Sequence, residues 1–137
     1  MKMKTKKFTL FLLPVKLGIC HFDKNHPIPA WATKNSDFFS LTKTPDELSV
    51  LCSQDKIPGG VLVEKNWRVF QVKGPLGFSL TGIVASLSKP LAEVGISILY
   101  ISTYETDYIF VQEKDLKKAR KVFSKFCQVK EAKNRNI

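Results

Sequence analysis

The residues best suited to chemistry stand in the run "ISTYETDYIFV", Ile101–Val111. Ile, Tyr, Phe and Val favour a pleated, half-buried surface, yet Thr103, Glu105, Thr106 and Asp107 interrupt it. Tight hairpins commonly turn on Asn-Gly or Asp-Gly, and this run has no glycine. Its polar residues are therefore either a surface turn or a binding site. The other reactive residue types are scattered. His21 and His26 have no second His or Cys pair at ligand spacing, so no metal site is expected. A strand would direct the neighbours Cys20 and His21 to opposite faces, which argues against a Cys–His nucleophile. Cys20, Cys52 and Cys127 are far apart and odd in number, which fits buried thiols in a reducing compartment, the cytoplasm. No Walker-type phosphate loop occurs, and neither an enzyme nor a cofactor is expected. Trp31 and Trp67 read as core or interface anchors.

Charge narrows the partners. The 137 residues carry a net charge of +10, which raises nucleic-acid binding as a hypothesis. The excess sits at the ends. Residues 1–7 hold four lysines, residues 114–137 nine basic and two acidic residues, and residues 8–113 nine basic and ten acidic. Basic ends of this kind are ordinarily solvated tails or helix faces. No apolar run approaches the roughly 20 residues of a membrane helix. The apolar run Phe8–Leu13 is too short for a signal peptide's core and reads as a first strand.

The C-terminal half is the clearer in pattern. "NWRVFQV" (Asn66–Val72), "ISILYIS" (Ile96–Ser102) and "DYIFV" (Asp107–Val111) read as strands. "FSLTGIVASLSKPLAEVG" places Leu80, Ile83, Val84, Leu87, Leu91 and Val94 on one helical stripe, closed by Gly95 at C′, with Pro90 as an internal fault. "EKDLKKARKVFSKF" puts Leu116, Ala119, Val122, Phe123 and Phe126 on one face of a second helix. "FCQVK" (Phe126–Lys130) is a fourth strand or a continuation of that helix. In the N-terminal half, Phe8–Pro14, Leu17–Phe22, Asp37–Lys43 and Glu47–Cys52 read as strands, and "HPIPAWA" (His26–Ala32) allows at most one helical turn. "TKTPDELSV" (Thr42–Val50) aligns with "TYETDYIFV" (Thr103–Val111) at an offset of 61, and Pro14 meets Pro75 at the same offset. That pattern suggests a duplicated βαββ unit whose first copy is degenerate, chiefly in its helix.

The stretch Gly74–Ala119, with "GFSLTGI", "LAEVGIS" and "ISTYETDY", resembles the ACT domain, a ferredoxin-like βαββαβ module. "LLP" (Leu12–Pro14), "IPAWA" (Ile28–Ala32) and "FFSLTKTPDELSVLC" (Phe38–Cys52) extend the resemblance to small bacterial tandem ACT proteins related to the CASTOR-type arginine sensors. The resemblance implies an α+β chain of two ferredoxin-like units in one compact body. Its parts would be a basic tail over 1–7, a degenerate unit over 8–64, an ACT domain over 65–130 and a basic tail over 131–137. It also implies non-catalytic sensing of an amino acid or similar small molecule, and a homodimer. The ligand-binding positions it implies are Gly77, Phe78, Ser79 and Leu80 in the loop before the first helix, and Thr103, Tyr104, Thr106 and Asp107. Glu105-Thr106 departs from the pair the sensors carry, so the resemblance leaves the ligand open.

The chemistry of those residues agrees with that implication. A helix N-terminus offers unpaired N–H groups and a positive dipole end to a carboxylate. Ser79 can cap or bind there, and Gly77 admits a close backbone approach. Asp107 can pair with an ammonium. Two alternatives stand beside this reading: a structural dimerisation or interaction module without ligand, and a nucleic-acid-binding protein acting through its basic termini.

Overall fold

The computed structural model describes residues 8–74 and 81–132. Among the described residues seven strands occur, β1 (Phe8–Phe22), β2 (Phe39–Lys43), β3 (Leu48–Ser53), β4 (Leu62–Val72), β5 (Ile98–Ser102), β6 (Asp107–Gln112) and β7 (Cys127–Glu131). Three helices join them: α1 (Ala30–Thr33), α2 (Ile83–Glu93) and α3 (Leu116–Phe123). The chain divides into two compact units. Unit 1 takes Met1–Pro14 with Arg68–Ile137, and unit 2 takes Val15–Trp67. β1 is a single strand through the exposed Pro14, where two strands were expected.

Unit 1 has the strand order β7-β1-β4-β6-β5. Phe8–Leu12 of β1 runs parallel to Cys127–Glu131 of β7, so "FCQVK" does supply a strand. Strand alternation sends Leu10 and Leu12, Phe70 and Val72, and Ile109 and Val111 into one core with Leu87, Leu91, Ala119, Val122 and Phe123 of the helices. The stripe expected on α3 is the one observed, with Leu116 and Phe126 packed at its margin. The stripe on α2 is narrower than expected, because Val84 is 47% exposed. α2 begins later than the apolar pattern suggested. Its N-cap is Gly82, and the expected capping residue Ser79 lies outside the described residues. It closes as expected at Gly95, whose φ is 77°. Gly95 N–H donates to Ala92 O and Ile96 N–H to Leu91 O, each at 3.0 Å. This is a Schellman motif, which glycine enters without strain.

Unit 2 has the order β2-β3-β1-β4, and α1 is the single turn expected. Its core joins Cys20, Ala32, Leu48, Val50 and Cys52, with Trp31 and Leu41 packed against them. The internal repeat is real but sits at a different offset. β2 recurs as β5, β3 as β6, and the 3-10 turn Gln54–Lys56 as Glu113–Asp115, each 59 residues later (39 to 98, 48 to 107, 54 to 113). The offset of 61 was a two-residue slip, and side-chain period 2 keeps every residue on its correct face under such a slip.

Cys20, Cys52 and Cys127 are buried and form no disulfide. Cys20 pairs with Val50 and Cys52 with Gly18, which makes the two thiols diagonal neighbours across β1 and β3. Burial, then the charge and hydrogen bond of Cys20 and the charge of Asp55, push the Cys52 thiol up to about 12 from 9.0. The folded state keeps a proton that the unfolded state has released. This stabilisation is therefore complete below pH 9 and is lost as pH rises toward 12. At pH 8 we expect Ellman's reagent to leave Cys52 unlabelled until denaturant is added, since the thiolate is the nucleophile. Rapid labelling of the native chain at Cys52 would contradict the burial.

Candidate functional site

The hairpin of β5 and β6 brings Thr103, Tyr104, Thr106 and Asp107 together at one corner of unit 1. Gly77, Phe78, Ser79 and Leu80 lie outside the described residues. The two threonines build the turn. Thr103 N–H donates to Thr106 O at 2.8 Å. The Thr103 hydroxyl donates to the same oxygen at 3.0 Å and accepts from Thr106 N–H at 3.3 Å. Thr106 is 4% exposed, and its hydroxyl donates to the Val72 carbonyl at the end of β4. These hydroxyls do the work of the missing Asn-Gly, which resolves half of the puzzle in "STYETD" as local hydrogen bonding.

The same bonds fix the start of the following loop. A Cβ on Gly74 would stand 3.0 Å from Glu105 O and 3.1 Å from Thr106 Cβ, so glycine lets the chain leaving β4 lie against the turn. Gly74 therefore lies beside "STYETD"; the rest of "GPLGFS", expected beside that turn from sequence, falls outside the described residues. At the other end of that segment, the N-cap Gly82 offers no side-chain bond to the first amides of α2, which have no intrahelical partner.

Asp107 is free of turn duties. It opens β6 opposite Ser102, half-buried, and its Oδ2 accepts a 2.6 Å hydrogen bond from the Tyr100 hydroxyl. Burial, then that bond and the carboxylate charge, hold the Tyr100 hydroxyl well above the usual tyrosine range. It therefore remains a donor, and Oδ1 is left for another partner. Sequence reasoning missed Tyr100. The signal was the hairpin register, because Tyr100 pairs with Ile109 and so sits diagonal to Asp107 on the same face. Tyr104 is 81% exposed at the tip.

The histidines serve locally. His26 stacks on Phe22 with ring centroids 4.4 Å apart, and His21 Nε2 lies 3.8 Å from Glu47 Oε1. Among the described residues, no three His, Cys, Asp or Glu side chains gather as metal ligands, and no helix is long and apolar enough to cross a membrane.

Two helices on one face of a sheet, in the order β4-α2-β5-β6-α3-β7, make unit 1 ferredoxin-like, with the first half of β1 added between β7 and β4. Residues 62–125, just under half of the chain, match the family model "ACT domain" and belong to that family. A second model, described as an N-terminal domain, matches residues 16–60. Protein Atu0741 from Agobacterium tumefaciens is 34% identical, with 96% of this chain and 98% of that one aligned at a TM-score of 0.86. The regulatory subunit of aspartate kinase from Thermus thermophilus shares the fold at 11% identity and a TM-score of 0.62, over 90% of this chain and 99% of that one. The "Cytosolic arginine sensor for mTORC1 subunit 1" of Bos taurus is 37% identical over an alignment of 90 residues that covers 58% of this chain. The matched stretch spans only 27% of that relative's length.

Proposed function

We propose that the chain is a non-catalytic regulatory module that binds an amino acid or similar zwitterion at the corner of unit 1. The observation that carries this reading is Asp107, a carboxylate held in place by Tyr100 at 2.6 Å beside a loop that starts against the same turn. Asp107 takes the ligand's ammonium. Backbone donors of Gly77–Leu80 or of the first turn of α2 take its carboxylate, and Phe78 and Tyr104 flank the side chain. The arginine-sensor name of a relative 37% identical supports an amino acid as the ligand class. The reading includes a cytoplasmic location and a homodimer. β5 ends the strand order of unit 1 and β2 that of unit 2, and open edges invite pairing. A monomer in sedimentation at tens of micromolar, a rough choice for ordinary affinities, would count against the dimer.

The test is a thermal-shift screen of the full chain against the twenty amino acids. A ligand that binds only the folded form raises Tm by mass action. Asp107→Asn keeps an acceptor for Tyr100, so the unliganded Tm should barely move. The ligand response should weaken by about 1–3 kcal/mol, the scale of one charge-assisted bond. No shift of the wild type by any amino acid at millimolar concentration would remove the proposal and leave a structural module.

A further inference from the structure

The repeat gives unit 2 an equivalent corner, and its chemistry is different. Its turn is built by the same device. Thr44 N–H donates to Glu47 O at 2.9 Å, and Glu47 N–H donates to Thr44 Oγ1 at 3.1 Å, as Thr103 and Thr106 do 59 residues on. Lys24 stands two residues past the end of β1, as Gly74 stands two past the end of β4. At this corner a groove of about 530 Å³ opens, lined by Lys24 and Asn25 from the chain leaving β1 and by Lys43, Thr44 and Pro45 from the β2–β3 turn. The two walls are tied together by the Lys43 ammonium, which donates to the Lys24 carbonyl at 2.5 Å. An ammonium has three donors, and two remain.

The acid of unit 1 has no counterpart here. Leu48 occupies the position of Asp107 and Leu41 that of Tyr100, and both pack with the unit 2 core. The neighbouring acids are outside the lining. Asp23 Oδ2 accepts from Asn25 N–H at 3.1 Å, Glu47 faces His21, and Asp46 is exposed on the far side of Pro45 in sequence. The lining thus includes two lysines, with the Lys43 ammonium fixed at the Lys24 carbonyl, and no carboxylate residue.

We infer that this corner of unit 2 is a second binding site, with its selectivity inverted to take a compact anion bearing carboxylate or phosphate oxygens. The inference goes beyond the amino-acid reading of unit 1 and survives its failure, because the two corners report separately. The test is residue-resolved NMR of the ¹⁵N-labelled full chain, titrated with sodium succinate and, separately, with sodium phosphate. Ionic strength is held fixed with sodium chloride, so that general screening is constant. Saturable shifts are expected at the amides of Asn25, Lys43 and Thr44, while those of Thr103–Asp107 stay in place. Saturation by succinate alone assigns a carboxylate ligand and by phosphate alone a phosphate ligand; either supports the site. Lys43→Gln and Lys24→Gln should each weaken binding about tenfold or more, the worth of one charge-assisted bond. Lys34→Gln, exposed elsewhere in unit 2, should leave it unchanged. The variants' own spectra show whether they remain folded. Shifts no larger than those in sodium chloride, or a folded Lys43→Gln protein that titrates like the wild type, would overturn the inference.

Discussion

Phe123→Ala is expected to lower the stability of the chain by about 3–5 kcal/mol, the range for truncating a fully buried aromatic residue. Phe123 is 0% exposed at the centre of the unit 1 core. Its ring meets Phe70 edge-on, with centroids 5.2 Å apart and planes at 78°, and it meets Phe126 at 6.2 Å and 69°. Such pairs add to the burial itself, and α3, β4 and the run into β7 all meet at this ring. A domain's whole stability is roughly 5–15 kcal/mol, so the variant should be marginal. Urea unfolding followed by far-UV circular dichroism measures the change through the midpoint. Trp31 and Trp67 both belong to unit 2. Their emission in the same titration therefore shows how much of the loss passes from unit 1 to unit 2. A change under about 1 kcal/mol, well below the range for aromatic truncation, would contradict the packing described.

Thr106→Val should cost about 1–3 kcal/mol even though the two side chains share a shape, because it leaves the buried Val72 carbonyl without its donor. Thr106→Ser, which restores the hydroxyl, should recover most of that. The expectation follows from the hydroxyl's bond across to β4 and from the 4% exposure of the residue. The effect reaches the proposed site, because the same residue abuts Gly74. The valine variant should therefore bind any unit 1 ligand more weakly than its stability loss alone explains. Thermal melts with and without ligand separate the two. A valine variant as stable as the wild type would show that the carbonyl finds another donor.

The sequence revealed those features whose causes are local. The stripe of α3 was legible because five apolar residues repeat at helical spacing, and the hairpin β5–β6 because its strand residues are β-branched and aromatic. Gly95 was legible because a helix end needs a left-handed residue. What escaped depends on distant partners. Pro14 read as a strand terminator, yet β1 continues through it to Phe22. Nothing local announces that Phe8–Leu12 pairs with Cys127–Glu131, because parallel partners leave no mark on the intervening chain. The start of α2 was set too early because Leu80 continues the apolar period, whereas the left-handed Gly82 fixes the N-cap. Asp107 stood out by residue type. Tyr100 did not, because a tyrosine in a strand is ordinary until the register sets it diagonal to an acid.

The pairing of the first strand with the last also bears on how the protein is made. On the ribosome, Phe8–Leu12 emerges early, but its partner Cys127–Glu131 is translated only after all of unit 2 and both larger helices. Val15–Trp67 can collapse on its own local hairpin contacts while synthesis continues, whereas unit 1 holds an apolar strand without its neighbour until Cys127–Glu131 is made. Long-range parallel pairing is slow to form and leaves edges exposed to other nascent chains. The lysines of residues 1–7 place like charges directly beside that waiting strand, which discourages its pairing with another copy.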